Sequence, residues 1–173
     1  MLKKVRIKIE TDRMEISGSL FDQETAKNPP SPDAAPQAEH LEMLVEGRLH
    51  DDGSRFSISY RESELSGMEG SSTTVSFRKN EAGVISMMRN GTVKTALIFE
   101  EGRRHLCYYQ TPIMPFEVCV YTKRVENTLD ADGQLILDYS VELRGAATEA
   151  THLKMTVLPH FDKPVSEPCD EEA

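Results

Sequence analysis

The sequence predicts an all-β protein whose strands close into a single antiparallel barrel. Three observations carry this prediction. Apolar and polar residues alternate with a period of two along most of the 173 residues, turn-forming sequences fall in the gaps, and no window of twelve or more residues has helical periodicity. Eight to ten short strands with short connections must close or split into two packed sheets, and the succession of hairpins from Phe56 onward favours closure.

The N-terminal region predicts two strands. The first alternates apolar residues with lysine and arginine over residues 4–9, and the second covers residues 14–20. Basic side chains on the outer face of a terminal strand discourage edge-to-edge pairing with another chain.

The later strands follow the same alternation. The longest one covers residues 135–143, and the last covers residues 153–157. Between two of the middle strands, Asn90-Gly91 is typical of a tight two-residue hairpin turn, so the next strand is expected to resume at residue 92.

Two polar segments stand apart from this pattern. Residues 22–39 contain four prolines and no apolar residue larger than alanine. Such a segment buries too little surface to offset its ordering entropy, so it predicts a disordered insertion between the second and third strands. Residues 159–173 are acidic and rich in proline, which predicts a disordered tail after a barrel domain formed by residues 1–158.

Composition argues against several classes of partner. The net charge is −9, and no basic stripe is interleaved with aromatic residues, so nucleic acid is not expected as a partner. No apolar run approaches the roughly 18 residues of a membrane helix, and no secretory signal follows the N-terminal lysines. An odd count of three cysteines without framework spacing predicts a reducing, cytoplasmic location.

From residue 56 to residue 158 the chain resembles a known family. The residues that carry the resemblance are, in order, Ile58-Ser-Tyr-Arg-Glu, Thr73-Thr74-Val75, Met88-Arg89-Asn90-Gly91, Phe99-Glu-Glu-Gly102, Tyr109-Gln-Thr111-Pro112 and Leu135-Ile-Leu-Asp-Tyr139. In this order and spacing they resemble the YwiB-like bacterial family of unknown function. The resemblance implies a calycin-type, lipocalin-like barrel with a central cavity, and it implies no activity.

Arg89 is the side chain with the most consequence for function. On a regular strand it shares a face with Met87, and inside a barrel its guanidinium needs an acidic partner, which a ligand can supply. Alternatively, because Arg89 adjoins the predicted turn, it reaches water or pairs with Glu62 or Glu100. Charged residues are rarely fully buried, which favours the second interpretation.

Aromatic and apolar residues supply the rest of a candidate ligand site. Inward tyrosines can present hydroxyl groups to a bound molecule, or they can simply fill the core. The second interpretation is favoured, because aromatic residues make up only 6% of the chain and tryptophan is missing. The candidate ligand-binding residues are Arg89, Tyr60, Met87, Phe99, Tyr108, Phe116 and Tyr139.

Metal and catalytic sites find little support. Cys107 and Cys119 are expected to face each other across a hairpin, with His105 nearby, but no fourth ligand is evident, and reduced cysteines commonly act as small apolar residues. Glu62 and Glu64 are interpreted as a solvated strand end rather than an acid/base pair. We therefore predict no metal, no cofactor and no enzymatic activity.

The leading hypothesis is a non-enzymatic barrel that binds a small, partly apolar molecule, anionic if Arg89 faces inward. The alternative is a protein-interaction module with a filled barrel, contacting its partner through the outer surface or the acidic tail. Both monomer and homodimer agree with the sequence.

Overall fold

The computed structural model describes residues 1–16, 38–143 and 146–159. Its ten antiparallel strands form a closed barrel in which each strand pairs with its neighbours in sequence, and β1 closes the barrel by pairing with β10. The predicted fold class, a single closed antiparallel barrel, is confirmed. The strands are β1 Leu2–Glu15, β2 Ala38–Asp51, β3 Arg55–Arg61, β4 Ser72–Arg78, β5 Val84–Asn90, β6 Lys94–Glu100, β7 Arg104–Gln110, β8 Pro115–Asn127, β9 Gln134–Leu143 and β10 Ala146–Pro159.

The two ends of the barrel differ in their connections. We call one end the rim; it carries the connections 62–71, 91–93 and 111–114. The opposite end, where β1 begins and β10 ends, is the base. Only two single-turn 3-10 segments, Glu64–Ser66 and Lys79–Glu81, interrupt the strands within the described ranges, and no helix there is long and apolar enough to cross a membrane.

The base half of the interior is a continuous apolar core. Successive side chains on a strand point to opposite faces, so every second residue enters the barrel. Phe56 and Phe77 stack near the base with ring centroids 5.2 Å apart, and Leu129 on the connection after β8 is buried with them. Each fully buried aliphatic or aromatic side chain contributes about 1.5–3 kcal/mol. The fully buried apolar residues are Ile7, Ile9, Ile58, Val75, Ile85, Met87, Phe99, Val120, Leu135, Leu137 and Met155.

The predicted division of the N-terminal region into two strands is wrong. A single strand, β1, runs from Leu2 to Glu15 and pairs with both β2 and β10 over most of its length. Thr11 is buried on its inward face. A threonine therefore interrupts the apolar alternation without ending the strand.

The two segments predicted to be disordered lie mostly outside the described residues. Of the insertion 22–39, the structure describes residues 38 and 39, which begin β2. The insertion thus lies between the first and second strands. Of the tail 159–173, it describes Pro159, the last residue of β10.

The connection between β5 and β6 also differs from the prediction. It spans residues 91–93, and β6 begins at Lys94, so it is longer than a two-residue turn. Gly91 has a φ of 148°, and a Cβ atom there would lie 2.5 Å from the carbonyl oxygen of Gly70. Glycine is needed at this position because the connections 62–71 and 91–93 approach each other closely.

Strand β7 presents the opposite face to the one predicted. Cys107 is buried at 3% exposure, while Leu106 and Tyr108 are 71% and 54% exposed. The expectation that Tyr108 lines the interior is therefore wrong. Both faces of this strand carry apolar residues, so alternation alone does not determine which face enters the barrel.

Candidate functional site

Polar side chains line the rim half of the barrel interior. Thr73, Thr95, Thr122 and Thr151 are buried, and Glu62 is buried beside them. The threonines occupy inward positions on their strands. Thr122 faces Tyr139 across the β8–β9 ladder, and the buried Val118 and Val120 lie between it and the rim end of β8. Buried polar groups are costly unless they are hydrogen-bonded, so this arrangement requires a specific set of partners.

One set of partners joins a tyrosine on β3, a glutamate on the 62–71 connection, a threonine on β4 and an arginine on β5. Tyr60 faces Thr73 across the β3–β4 ladder, and Thr73 faces Arg89 across the next. The phenol of Tyr60 interacts with Thr73, and the Thr73 hydroxyl donates a hydrogen bond to Oε1 of Glu62. The same Oε1 lies 3.5 Å from Nε of Arg89.

A second set with the same four residue types lies on β9, β10 and β1. Tyr139 faces Thr151, and Thr151 faces Arg13. The Tyr139 side chain interacts with Thr151, whose hydroxyl donates to Oε1 of Glu149 at 3.1 Å. Nε of Arg13 lies 3.9 Å from the same carboxylate oxygen. The second ion pair is more exposed to solvent than the first.

Arg89 lies inside the barrel and is paired. Its side chain is 11% exposed and that of Glu62 is 1% exposed. Nη2 of Arg89 also contacts the Met87 sulfur at 3.8 Å. Burial opposes the charge of the guanidinium, yet Tyr109, Tyr60 and the other nearby acidic groups leave the pKa of Arg89 above its ordinary value.

This position resolves the two interpretations of Arg89. The predicted partner Glu62 is confirmed, whereas the expectation that the pairing occurs at a solvated strand end is wrong. The interpretation of Glu62 and Glu64 as a solvated strand end is wrong for Glu62, which is buried inside the barrel, whereas Glu64 is exposed on the first 3-10 turn.

Burial also affects the two tyrosines. It raises the pKa of Tyr60, an effect that the neighbouring Glu62 reinforces. Burial likewise raises the pKa of Tyr139. Both phenols therefore keep their protons and can act as hydrogen-bond donors over the whole physiological range of pH.

Four buried side-chain polar atoms have no hydrogen-bond partner among the described residues. They are Oε2 of Glu62, Nε of Arg89, Oγ1 of Thr95 and Oγ1 of Thr122. Although Nε of Arg89 lies close enough to Glu62 for an ion pair, it makes no hydrogen bond there. Leaving a buried donor or acceptor unsatisfied costs about 1–3 kcal/mol. Three of the four residues are neighbours, because Arg89 faces Thr95 across the β5–β6 ladder and pairs with Glu62.

A pocket of about 440 Å³ opens at the rim beside this region. The 62–71 connection forms much of its wall, and the backbone N–H of Glu62 donates to the carbonyl of Ser71 at 2.9 Å. The residues that line the pocket are Arg61, Glu62, Glu69, Gly70, Ser71, Ser72 and Asn90.

The predicted ligand-binding residues fall into three places. Arg89, Tyr60 and Tyr139 lie together in the rim half, with Phe116 on the edge of the rim, where its ring stacks on Tyr109 at 5.2 Å. Met87 and Phe99 belong to the apolar core, and Phe99 contacts the Tyr139 ring at 4.7 Å. Tyr108 lies on the outer wall.

The buried threonines of the rim half were missed by the sequence reasoning. The sequence feature that indicates their burial is the alternation of apolar residues, which Thr73, Thr95 and Thr151 each continue at an inward position of a strand. A threonine there suits a strand well, so the alternation alone does not indicate a site.

The two cysteines do not form a metal site with His105. Cys107 faces Val118, whereas Cys119 faces Leu106 on the outer face, so the expected pairing of the two thiols is wrong. His105 lies 3.1 Å from Glu100. Within the part of the chain that the structure describes, no group of three or more histidine, cysteine, aspartate or glutamate residues can hold a metal ion.

An apolar patch occupies the outer wall around β7. We define this β7 patch by its exposed apolar side chains, which belong to β6, β7 and the connection 111–114. Lys94 on β6 and Glu117 on β8 lie on its two flanks. The members of the β7 patch are Ile98, Leu106, Tyr108, Ile113 and Met114.

Comparison with known proteins agrees with the fold. The crystal structure of the YwiB protein from Bacillus subtilis matches with a TM-score of 0.63 and 16% sequence identity, covering 91% of this chain and 96% of that chain. At this identity the likeness shows the fold alone. A search of curated proteins finds no match. The family model described as "Domain of unknown function (DUF1934)" matches residues 31–155. The predicted resemblance is thus confirmed, and the chain belongs to the DUF1934 family.

Proposed function

We propose that the protein is a non-enzymatic binding protein that holds a small, partly apolar molecule in the rim half of its barrel. This proposal includes the lipocalin-like cavity that the family resemblance implies and a cytoplasmic location. The observation that carries it is the set of buried polar atoms without partners among the described residues, one of which, Oε2 of Glu62, belongs to a residue that lines the pocket at the rim.

The chemistry of these atoms indicates the head group of the ligand. Nε of Arg89 is a donor, Oε2 of Glu62 is an acceptor, and the hydroxyls of Thr95 and Thr122 can do either. Because Glu62 already balances Arg89, a head group that both donates and accepts hydrogen bonds fits better than a simple anion. An amide, a hydroxy acid or a zwitterion meets this requirement.

Aromatic rings would accommodate the apolar part of the ligand. The stacked pair of Tyr109 and Phe116 stands at the rim, and the ring of Tyr139 lies deeper, against Phe99. Rings of this kind offer broad apolar surfaces while keeping the phenol groups available for hydrogen bonds.

Native mass spectrometry of the protein purified from the organism that encodes it tests this proposal. We expect a small-molecule adduct of constant mass on the wild-type chain. The double variant Thr95→Val/Thr122→Val removes two hydroxyls while nearly preserving shape, and it should weaken retention of the adduct by about tenfold or more, as expected for two lost hydrogen bonds.

Thr156→Val is the matched control, because Thr156 adjoins the inward Met155 on β10 and so faces away from the interior site. It should keep the adduct at the wild-type level. Wild-type protein that is bare in every preparation, or equal retention by the double variant, would overturn the proposal.

The β7 patch favours a second candidate, an interface between two copies of the chain. In a two-fold symmetric contact centred on Tyr108, Lys94 of one copy meets Glu117 of the other, since these residues flank the patch on opposite sides. Exposed apolar patches with charged borders are typical of protein interfaces.

Sedimentation velocity over a range of concentrations tests the dimer. Leu106→Asp should abolish it, whereas Leu65→Asp, at an equally exposed leucine on the 62–71 connection, should leave it intact. Lys94→Glu should weaken the dimer, and adding Glu117→Lys should restore it. A chain that stays monomeric at all concentrations would exclude this second candidate.

A further inference from the structure

A groove of about 630 Å³ crosses the outer wall of the barrel over β1, β2, β3 and β4. It lies on the opposite side of these strands from the interior site. A Cβ atom at Gly47 would lie 2.4 Å from Cδ1 of Ile7, so glycine at this position lets the Ile7 side chain pack directly beneath β2. The residues that line the groove are Lys4, Val5, Glu46, Gly47, Arg48, Ser59, Tyr60, Arg61, Ser72 and Thr74.

Three cations surround the groove. Lys4 faces Arg48 across the β1–β2 ladder, Arg48 faces Ser59 across the next, and Arg61 is two residues beyond Ser59 on β3. Side chains that face each other across a ladder start about 4.5–5.5 Å apart, so these groups converge on one small area. The hydroxyls of Ser59 and Thr74 lie in the same row.

The charges of these three cations are not neutralised by ion pairs among the described residues. Some cations elsewhere on the barrel are paired, such as Lys79 with Asp51 and Arg104 with Glu142, and others, such as Lys94, are not paired within the described ranges; Lys4, Arg48 and Arg61 differ from these in lining one groove together. No such pair involves Lys4, Arg48 or Arg61 in the described part of the chain. In a chain of net charge −9, a local group of unpaired cations produces a positive potential that attracts anions.

Glu46 is the one carboxylate in the lining, and it faces Arg6 across the β1–β2 ladder. Three cations line the groove against this single carboxylate, so the lining carries a net positive charge. We expect it to reduce the affinity for anions without cancelling it.

From these observations we propose that the groove binds a small polyanion carrying phosphoryl groups. Arginine offers a planar fork of donors that matches phosphate oxygens, and lysine adds a point charge. The volume of the groove lies within the roughly 300–1,000 Å³ range of small-molecule sites. No exposed aromatic residue lines it for base stacking, since Tyr60 is buried, which favours a compact ligand over a single-stranded nucleic acid.

Inorganic pyrophosphate is the probe for this site. Titration of the isotope-labelled full chain, followed by amide resonances, should shift residues on the outer faces of β1–β4 and saturate. The double variant Arg48→Met/Arg61→Met should raise the dissociation constant by about tenfold or more. Glu46→Gln should lower it several-fold, a gain of affinity that a purely structural role of these residues does not produce.

The matched control is Arg103→Met/Arg124→Met, which removes two exposed arginines outside the groove and should leave the dissociation constant unchanged. The proposal is overturned if binding does not saturate below about 10 mM, if the groove variant binds like the wild type, or if citrate binds as tightly as pyrophosphate. Tighter binding of a short single-stranded RNA would replace it with a nucleic-acid interface. The interior variants Thr95→Val and Thr122→Val should not alter pyrophosphate binding, so this test is independent of the proposed interior site.

Discussion

The base half and the rim half of the barrel interior are built on the same strands and differ completely in chemistry. From base to rim, β6 presents Phe99, Leu97 and Thr95 to the interior, and β5 ends its inward row on Arg89. The base half is filled mainly by apolar side chains, and its inward Asn127, opposite Leu135, is satisfied by donating to the carbonyl of Ala82 and accepting from the N–H of Leu129. The rim half needs each donor and acceptor to meet a partner, and Oε2 of Glu62, Nε of Arg89 and Oγ1 of Thr95 have none in the described part of the chain.

The two halves contribute to different properties of the protein: the base half to the stability of the fold and the rim half to binding. Burial of apolar side chains stabilises a fold whatever else the molecule does. A buried ion pair with unsatisfied neighbours is weak evidence for stability, since its desolvation offsets much of its attraction. We infer that the base half holds the barrel closed and that the rim half is the part available for binding.

The largest effect is expected from a cavity in the base half. Phe99 is fully buried, so Phe99→Ala should lower the free energy of unfolding by about 3–5 kcal/mol. Urea denaturation followed by circular dichroism measures the change. Tyr108→Ala, on the exposed outer wall, is the control and should cost far less. Equal losses for the two variants would contradict the assignment of the core to this half.

A smaller effect is expected from breaking the buried ion pair of the rim half. Arg89→Met leaves the Glu62 carboxylate buried and alone, which should lower the free energy of unfolding by about 3 kcal/mol. The double variant Glu62→Gln/Arg89→Met removes both charges and should recover most of that loss. The same denaturation experiment reports both values. If the double variant is no more stable than Arg89→Met, the two groups do not act as a pair.

The smallest effect is expected from pH. The pKa values of Tyr60 and Tyr139 are raised by burial. A raised pKa means that the folded state holds the phenol proton more tightly than the unfolded state, so this contribution to stability is complete below pH about 10 and is lost as pH rises through the folded pKa.

Absorbance at the wavelength of tyrosinate, recorded during an alkaline titration, measures the ionisation. Part of the signal should develop above the ordinary tyrosine range, and Tyr60→Phe/Tyr139→Phe should remove that part. Complete ionisation within the ordinary range would show that the rim half is open to solvent.

Much of the fold could be predicted from the sequence, because period-two alternation reports directly on which residues enter a barrel. The prediction failed where the alternation is ambiguous. Thr11 interrupts the apolar alternation of β1, so the sequence predicts two strands where the structure has one. On β7 both faces are apolar, and the packing of Cys107 against the core determined which face turned inward.

The site was less predictable than the fold. The sequence indicated Arg89 as the important side chain and Glu62 as one of two partners. It gave no reason to expect the buried threonines, because threonine is common in strands at solvated positions as well as buried ones. The basic groove could not be predicted from the sequence either, for a different reason. Its cations come from β1, β2 and β3, so no continuous basic segment marks it.

The sequence by itself thus determined the all-β class, the closure of the barrel and its family, because these depend on patterns within single strands and on their order. Tertiary structure decided which inward residues meet. The pairing of Glu62 with Arg89 and the convergence of Lys4, Arg48 and Arg61 both depend on strand register. Register is fixed by packing and turns across the whole barrel, and no local pattern contains it.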